Sequence, residues 1–170
     1  MASLMENLLE VLEKEDVLYQ ELLGLSMKKP PVIIKNDITS LQAITDEEQD
    51  VVNRINLLDK KRVEVTTDIA NVMNKDVNNL KLVNLIQMLE GRPQESKRLS
   101  QIHDDLKRVT TNMQRVNEQN RELLANALEM VEFDINYLNG LLQMPQTANY
   151  SNKAYNVGNH YARSTFDTKN

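Results

Sequence analysis

The chain has 170 residues, enough for one domain with a real core and too few for two. Four Gly, four Pro, two Phe and no Trp, against abundant Leu, Asn, Glu and Lys, argue against a sheet-rich fold and for helices around a thin aliphatic core. A formal net charge of -5 without a dense Lys/Arg patch argues against a phosphate-backbone partner, and the lack of Cys excludes disulfides and thiol chemistry.

Residues 1–12 already carry Glu6 and Glu10 within a helical period, so neither a signal peptide nor membrane insertion is expected, and the cytoplasm is the expected compartment. Leu4, Leu8, Val11, Leu18, Leu22 and Leu25 lie three and four apart and predict a first amphipathic helix, ended by Pro30 and Pro31. Val32, Ile33 and Ile34 then read as an extended connector. Asn36 or Asp37 can cap a second helix, whose Leu41, Ile44, Val51, Ile55, Leu58, Val65, Ile69 and Val72 keep the three-four rhythm to about Asn74. Glu48 and Arg62 take two positions on that seam. Asp76 can cap a short third helix over residues 77–89, and Gly91 and Pro93 mark the stop and the restart.

The stretch 93–142 reads as one helix of about 75 Å at 1.5 Å per residue. Its first half carries a single seam of Leu99, Ile102, Leu106, Val109, Met113 and Val116. Beyond Asn120 the apolar face roughly doubles, because Leu124, Leu128, Val131, Ile135, Leu138 and Leu142 run beside Leu123, Ala127, Met130, Tyr137 and Leu141. After Pro145 the sequence is polar and without period, yet Tyr150, Tyr155, Tyr161 and Phe166 recur every five or six residues, as ring anchors of a linear docking segment or as isolated residues of a solvated tail. The expected fold is therefore all-α: an antiparallel, coiled-coil-like bundle of long helices over residues 1–144, with one short helix and a flexible, polar C-terminal tail over residues 145–170.

Little in the chain suits catalysis. His103 and His160 are the two His, and neither has a Glu three residues before it, as an inward Glu-x-x-His metal pair requires. Phosphate loops and zinc spacings are missing too, so no enzyme, metal or cofactor is expected.

Aligning the helices by their connectors gives a further expectation. A hairpin turning near Pro31 sets Glu15 level with residue 47, and the second and fourth helices, run antiparallel, set Glu48 level with Asn117. Glu15, Glu48, Asn117, Asn120 and Arg121 would then share one polar layer, with Glu48 and Asn120 hydrogen-bonded and Arg121 compensating charge. The alternative is that these side chains reach outward to solvent.

Asn36-Asp37, Leu41, Ile44-Thr45, Glu48-Gln49, Ile55, Leu58 and Lys61-Arg62 resemble the second helix of FlgN-type flagellar export chaperones. Asn117-x-x-Asn120-x-x-Leu123-Leu124-x-x-x-Leu128-x-x-Val131 is similar to the last-helix signature of the same family. The resemblance implies a cytoplasmic helical bundle that binds C-terminal helical segments of the hook-filament junction proteins FlgK and FlgL, prevents their early assembly and brings them to the flagellar export gate. It also implies gate docking through a tail Tyr followed by Gly, and here Tyr150 and Tyr155 are the candidates. By the level accounting, Asp37 lies opposite residue 129, which leaves roughly 20 Å of the last helix as an overhang. The expected cargo site is therefore Leu128, Val131, Phe133, Ile135, Leu138, Leu141 and Leu142. A structural coiled-coil protein that covers the same stripe by forming a homodimer is the other reading of the composition.

Overall fold

A computed structural model describes residues 2–89 and 91–143, and among them every regular element is helical. The elements are α1 (Ala2–Ser26), α2 (Lys29–Ile34), α3 (Ile38–Met73), a 3₁₀ turn (Val77–Asn79), α4 (Leu82–Met88) and α5 (Pro93–Gln143). The all-α bundle expected from the periodicity is the fold. By compactness the chain divides into a unit ending at Ala125 and a second one beginning at Asn126.

Within the first unit, α1 and α3 form the closest helix pair. They run antiparallel, because Glu21 meets Arg54, Glu15 meets Arg62 and Ser26 meets Glu48. The start of α5 runs parallel to α1, with Arg98 against Glu6 and Glu13, and Asn120 against Ser26. Leu8, Leu9, Leu12, Ile69, Leu99 and Ile102 fill one end of the core, and Leu80, Leu85 and Leu89 close it. Leu18, Leu25, Ile44, Val51 and Ile55 fill the other. Between the two, the seam positions Glu15 and Arg62 replace aliphatic side chains with an ion pair.

Two local expectations are corrected. Pro30 and Pro31 lie in the first turn of α2, right after Lys29, instead of leading into an extended connector, because in the first turn of a helix their missing N–H groups have no intrahelical partner to lose. The chain turns only afterwards, through left-handed Asn36 at φ 54° and the N-cap Asp37, whose side chain accepts from the Ser40 amide at 3.0 Å. This extra helix moves the pivot along the chain, so Glu15 lies level with Arg62 rather than with residue 47. The third helix is also broken in two. Asp76 does cap the turn after Asn74, but Asn78 spends its own side chain on that carboxylate, and the chain leaves the helix at Leu80 before α4 restarts it. Leu80 is thereby buried.

Candidate partner-binding surface

The last stretch of α5, residues 126–143, has no proline and remains helical to Gln143, even through Gly140. Its large apolar residues are all exposed: Leu128 at 65 %, Phe133 at 67 % and Leu142 at 82 %, with Met130, Val131, Ile135, Tyr137, Leu138 and Leu141 between about two-fifths and two-thirds. All seven residues expected to hold cargo are in this set. Met130 and Tyr137 belong with them, and Tyr137 stacks on Phe133 with ring centroids 6.5 Å apart and planes 11° from parallel. Such an i, i+4 aromatic pair holds two rings in one orientation before any partner arrives. The charged residues of the stretch are Glu129, Glu132 and Asp134, all acidic. Its chemistry is that of a large apolar contact with negative edges, and a soluble monomer rarely leaves so many neighbouring apolar groups bare.

The expected polar layer is distributed over two sites. At the first, the Ser26 hydroxyl donates to Glu48 at 2.6 Å, Lys29 pairs with the same carboxylate, and the Asn120 side-chain amide donates to the Ser26 carbonyl at 2.9 Å. Pro30 explains the last bond. The carbonyl of Ser26 would ordinarily accept from the amide four residues on, and that residue has no N–H. Asn120 supplies the donor across the bundle. Glu48 and Asn120 therefore meet through Ser26, and the compensating cation is Lys29, because Arg121 is exposed and its ion-pair partner is Glu118 at 4.0 Å. Asn117 is exposed as well. The clue to Ser26 and Lys29 in the sequence was the spacing from Ser26 to Pro30, which leaves a carbonyl in want of a partner.

Glu15 belongs to the second site. It is 5 % exposed and accepts from Arg62 at 3.2 Å, and Arg62 also holds Asp59. Burial pushes the Glu15 carboxyl above its ordinary range, against the pull of Arg62. Asp16 beside it is raised too, first by burial and then by Asp105. An open groove of about 480 Å³ lies between α1 and α3 on the same unit, lined by Val17, Leu18 and Leu58 and rimmed by Glu10, Lys14 and Arg54.

No group of metal-ligating side chains lies together among the described residues, and His103 sits against Asp104 at 3.1 Å. No described helix is long and apolar enough to cross a membrane. Tyr150 and Tyr155, the expected docking residues of the tail, lie outside the described residues.

Neither a curated protein nor a solved structure matches the chain. The family described as FlgN protein matches residues 1–157, a span that takes in the whole bundle and the exposed end of α5, and the chain belongs to this family of flagellar export chaperones.

Proposed function

We propose that this chain works in the cytoplasm as a holding chaperone without chemistry of its own, and that its cargo is the C-terminal helical segments of the hook-filament junction proteins FlgK and FlgL. Held there, the segments cannot assemble early, and the complex is delivered to the flagellar export gate. One observation carries the reading: Leu128, Val131, Phe133, Ile135, Leu138, Leu141 and Leu142 form an exposed apolar helix surface in a chain of the FlgN family. This is helix-in-groove recognition, in which affinity comes from buried side chains at i, i+3, i+4 and i+7. Each of these side chains can contribute about 1.5–3 kcal/mol when fully buried, before the ordering costs of association. Delivery is assigned to residues 145–170, with Tyr150 or Tyr155 as the gate anchor, so that capture and delivery use separate parts of the chain.

The test is a chain with Val131→Ser, Ile135→Asn and Leu138→Ser, titrated with a C-terminal fragment of a junction protein. Binding should be lost while the helical signal and Tm stay near those of the wild type. Undiminished binding overturns the placement, and collapse of the fold assigns these residues to a core. Light scattering on the free chain and on the mixture separates a cargo complex from the self-associating reading, which requires a dimer that the fragment leaves intact.

A further inference from the structure

The exposed surface at the end of α5 covers more of the helix circumference than one partner helix can. At 100° per residue, Leu128, Val131, Ile135, Leu138 and Leu142 make one aliphatic stripe, and Met130, Phe133, Tyr137 and Leu141 make another centred about 130° away. Both are bare along their length. Together they span an arc of about 220°, whereas a helix packed on one neighbour buries a stripe of about 100°. Asp134 stands between the two stripes, and Glu129, Glu132, Asn136, Asn139 and Gln143 fill the remaining side.

Charge selects the occupant. From Glu122 to Gln143 the helix has no Lys or Arg, so a second copy of the same segment would set acid against acid on either stripe. A partner whose apolar seams are flanked by Lys or Arg gains from Asp134 between the stripes and from Glu129 and Glu132 at the edges. The stacked Phe133 and Tyr137 rings give the second stripe a face formed in advance, which reduces the ordering cost of binding.

We propose that residues 126–143 clamp two helices of the cargo at once, each with a basic-flanked apolar seam, one on the aliphatic stripe and one on the Met and aromatic stripe. This rests on the chaperone reading above and extends it from a single helix to a pair. It assigns the two stripes different duties: the aliphatic one captures the last cargo helix, and the aromatic one captures the helix before it.

The experiment uses the full chain and two C-terminal fragments of a junction protein, a short one with the last helix and a longer one with the last two. The variants are Phe133→Gln with Tyr137→Gln and, for the same stripe, Met130→Gln with Leu141→Gln. Gln keeps helix propensity, and circular dichroism checks the helix. The wild-type chain should bind the longer fragment at least about tenfold tighter than the short one. Both variants should lose the advantage for the longer fragment, weakening its binding at least about tenfold more than that of the short one. A variant that weakens both fragments equally, or neither, overturns the two-helix clamp, since one helix would then cover both stripes or the second stripe would be idle. A wild-type chain that binds neither fragment defeats the chaperone reading itself, a result distinct from either of these.

Discussion

The two ends of α5 use the same aliphatic side chains in opposite ways. Between Leu99 and Val116 the helix has one narrow seam, and Leu99, Ile102, Val109, Met113 and Val116 are buried on it. Between Leu128 and Leu142 it has nine large apolar residues, and every one of them is exposed. Apolar content therefore does not mark the core. In the first stretch the apolar residues form one seam, whose Leu99 and Ile102 join the core with residues of α1 and α3, and in the second they exceed what any single face can use. In the proposed function, this surplus is what a partner covers.

The contrast is broken most sharply by truncating one leucine in each stretch. Leu99→Ala removes a fully buried side chain and should cost about 2–5 kcal/mol, seen as a large drop in the urea midpoint. Leu128→Ala should change the unfolding free energy by no more than about 0.5 kcal/mol and leave the midpoint nearly where it was, since the residue is 65 % exposed. Equal losses would mean that both ends serve the core.

A smaller effect separates the two asparagines of the Asn-x-x-Asn stretch. Asn120→Ala leaves the Ser26 carbonyl without its donor and should cost about 1–3 kcal/mol in thermal or chemical unfolding. Asn117→Ala, on the exposed side, should be nearly silent.

Glu15 extends the comparison to charge within the core. Its carboxyl holds its proton to a higher pH in the folded chain than in the unfolded one, because burial outweighs Arg62. The stability it contributes is present in full below the ordinary value of 4.5 and is lost as pH climbs through the raised one. Unfolding curves of the wild type and Glu15→Gln, taken from mildly acidic to neutral pH, should therefore shift in favour of the variant as pH rises. A shift the other way would mean that the Arg62 pair dominates.

The smallest expected effect is a gain. Gly24 lies inside α1, exposed, with open space where a Cβ would stand, so Gly24→Ala should raise stability by roughly 0.5–1 kcal/mol in the same assay.

Helix boundaries set by local chemistry could be read from the sequence: Asp37 as a cap, Asn74 as a stop and Pro93 as a start all hold. The widening of the apolar face beyond Asn120 could be read as well, because helical period alone fixes which residues share a stripe. The pairing of levels could not. Heptads look alike at every shift, so the level of Glu15 depended on the connector, and Pro30 and Pro31 read as a break although they also suit the start of a helix. The bond between Asn120 and Ser26 joins residues 94 apart and has no local trace beyond the proline that creates the need for it. The docking role proposed for the tail rests on the family pattern around Tyr150 and Tyr155.

In the proposed function, cargo is held by residues 126–143 and not by the surface of the bundle. Hydrogen exchange of the full chain, with and without a junction-protein C-terminal fragment, tests it most directly, because an exposed helix end opens readily unless a partner covers it. New protection should be concentrated in residues 126–143, with α1 and α3 unchanged. Protection concentrated instead along the groove of Val17, Leu18 and Leu58, with residues 126–143 exchanging as in the free chain, would contradict it.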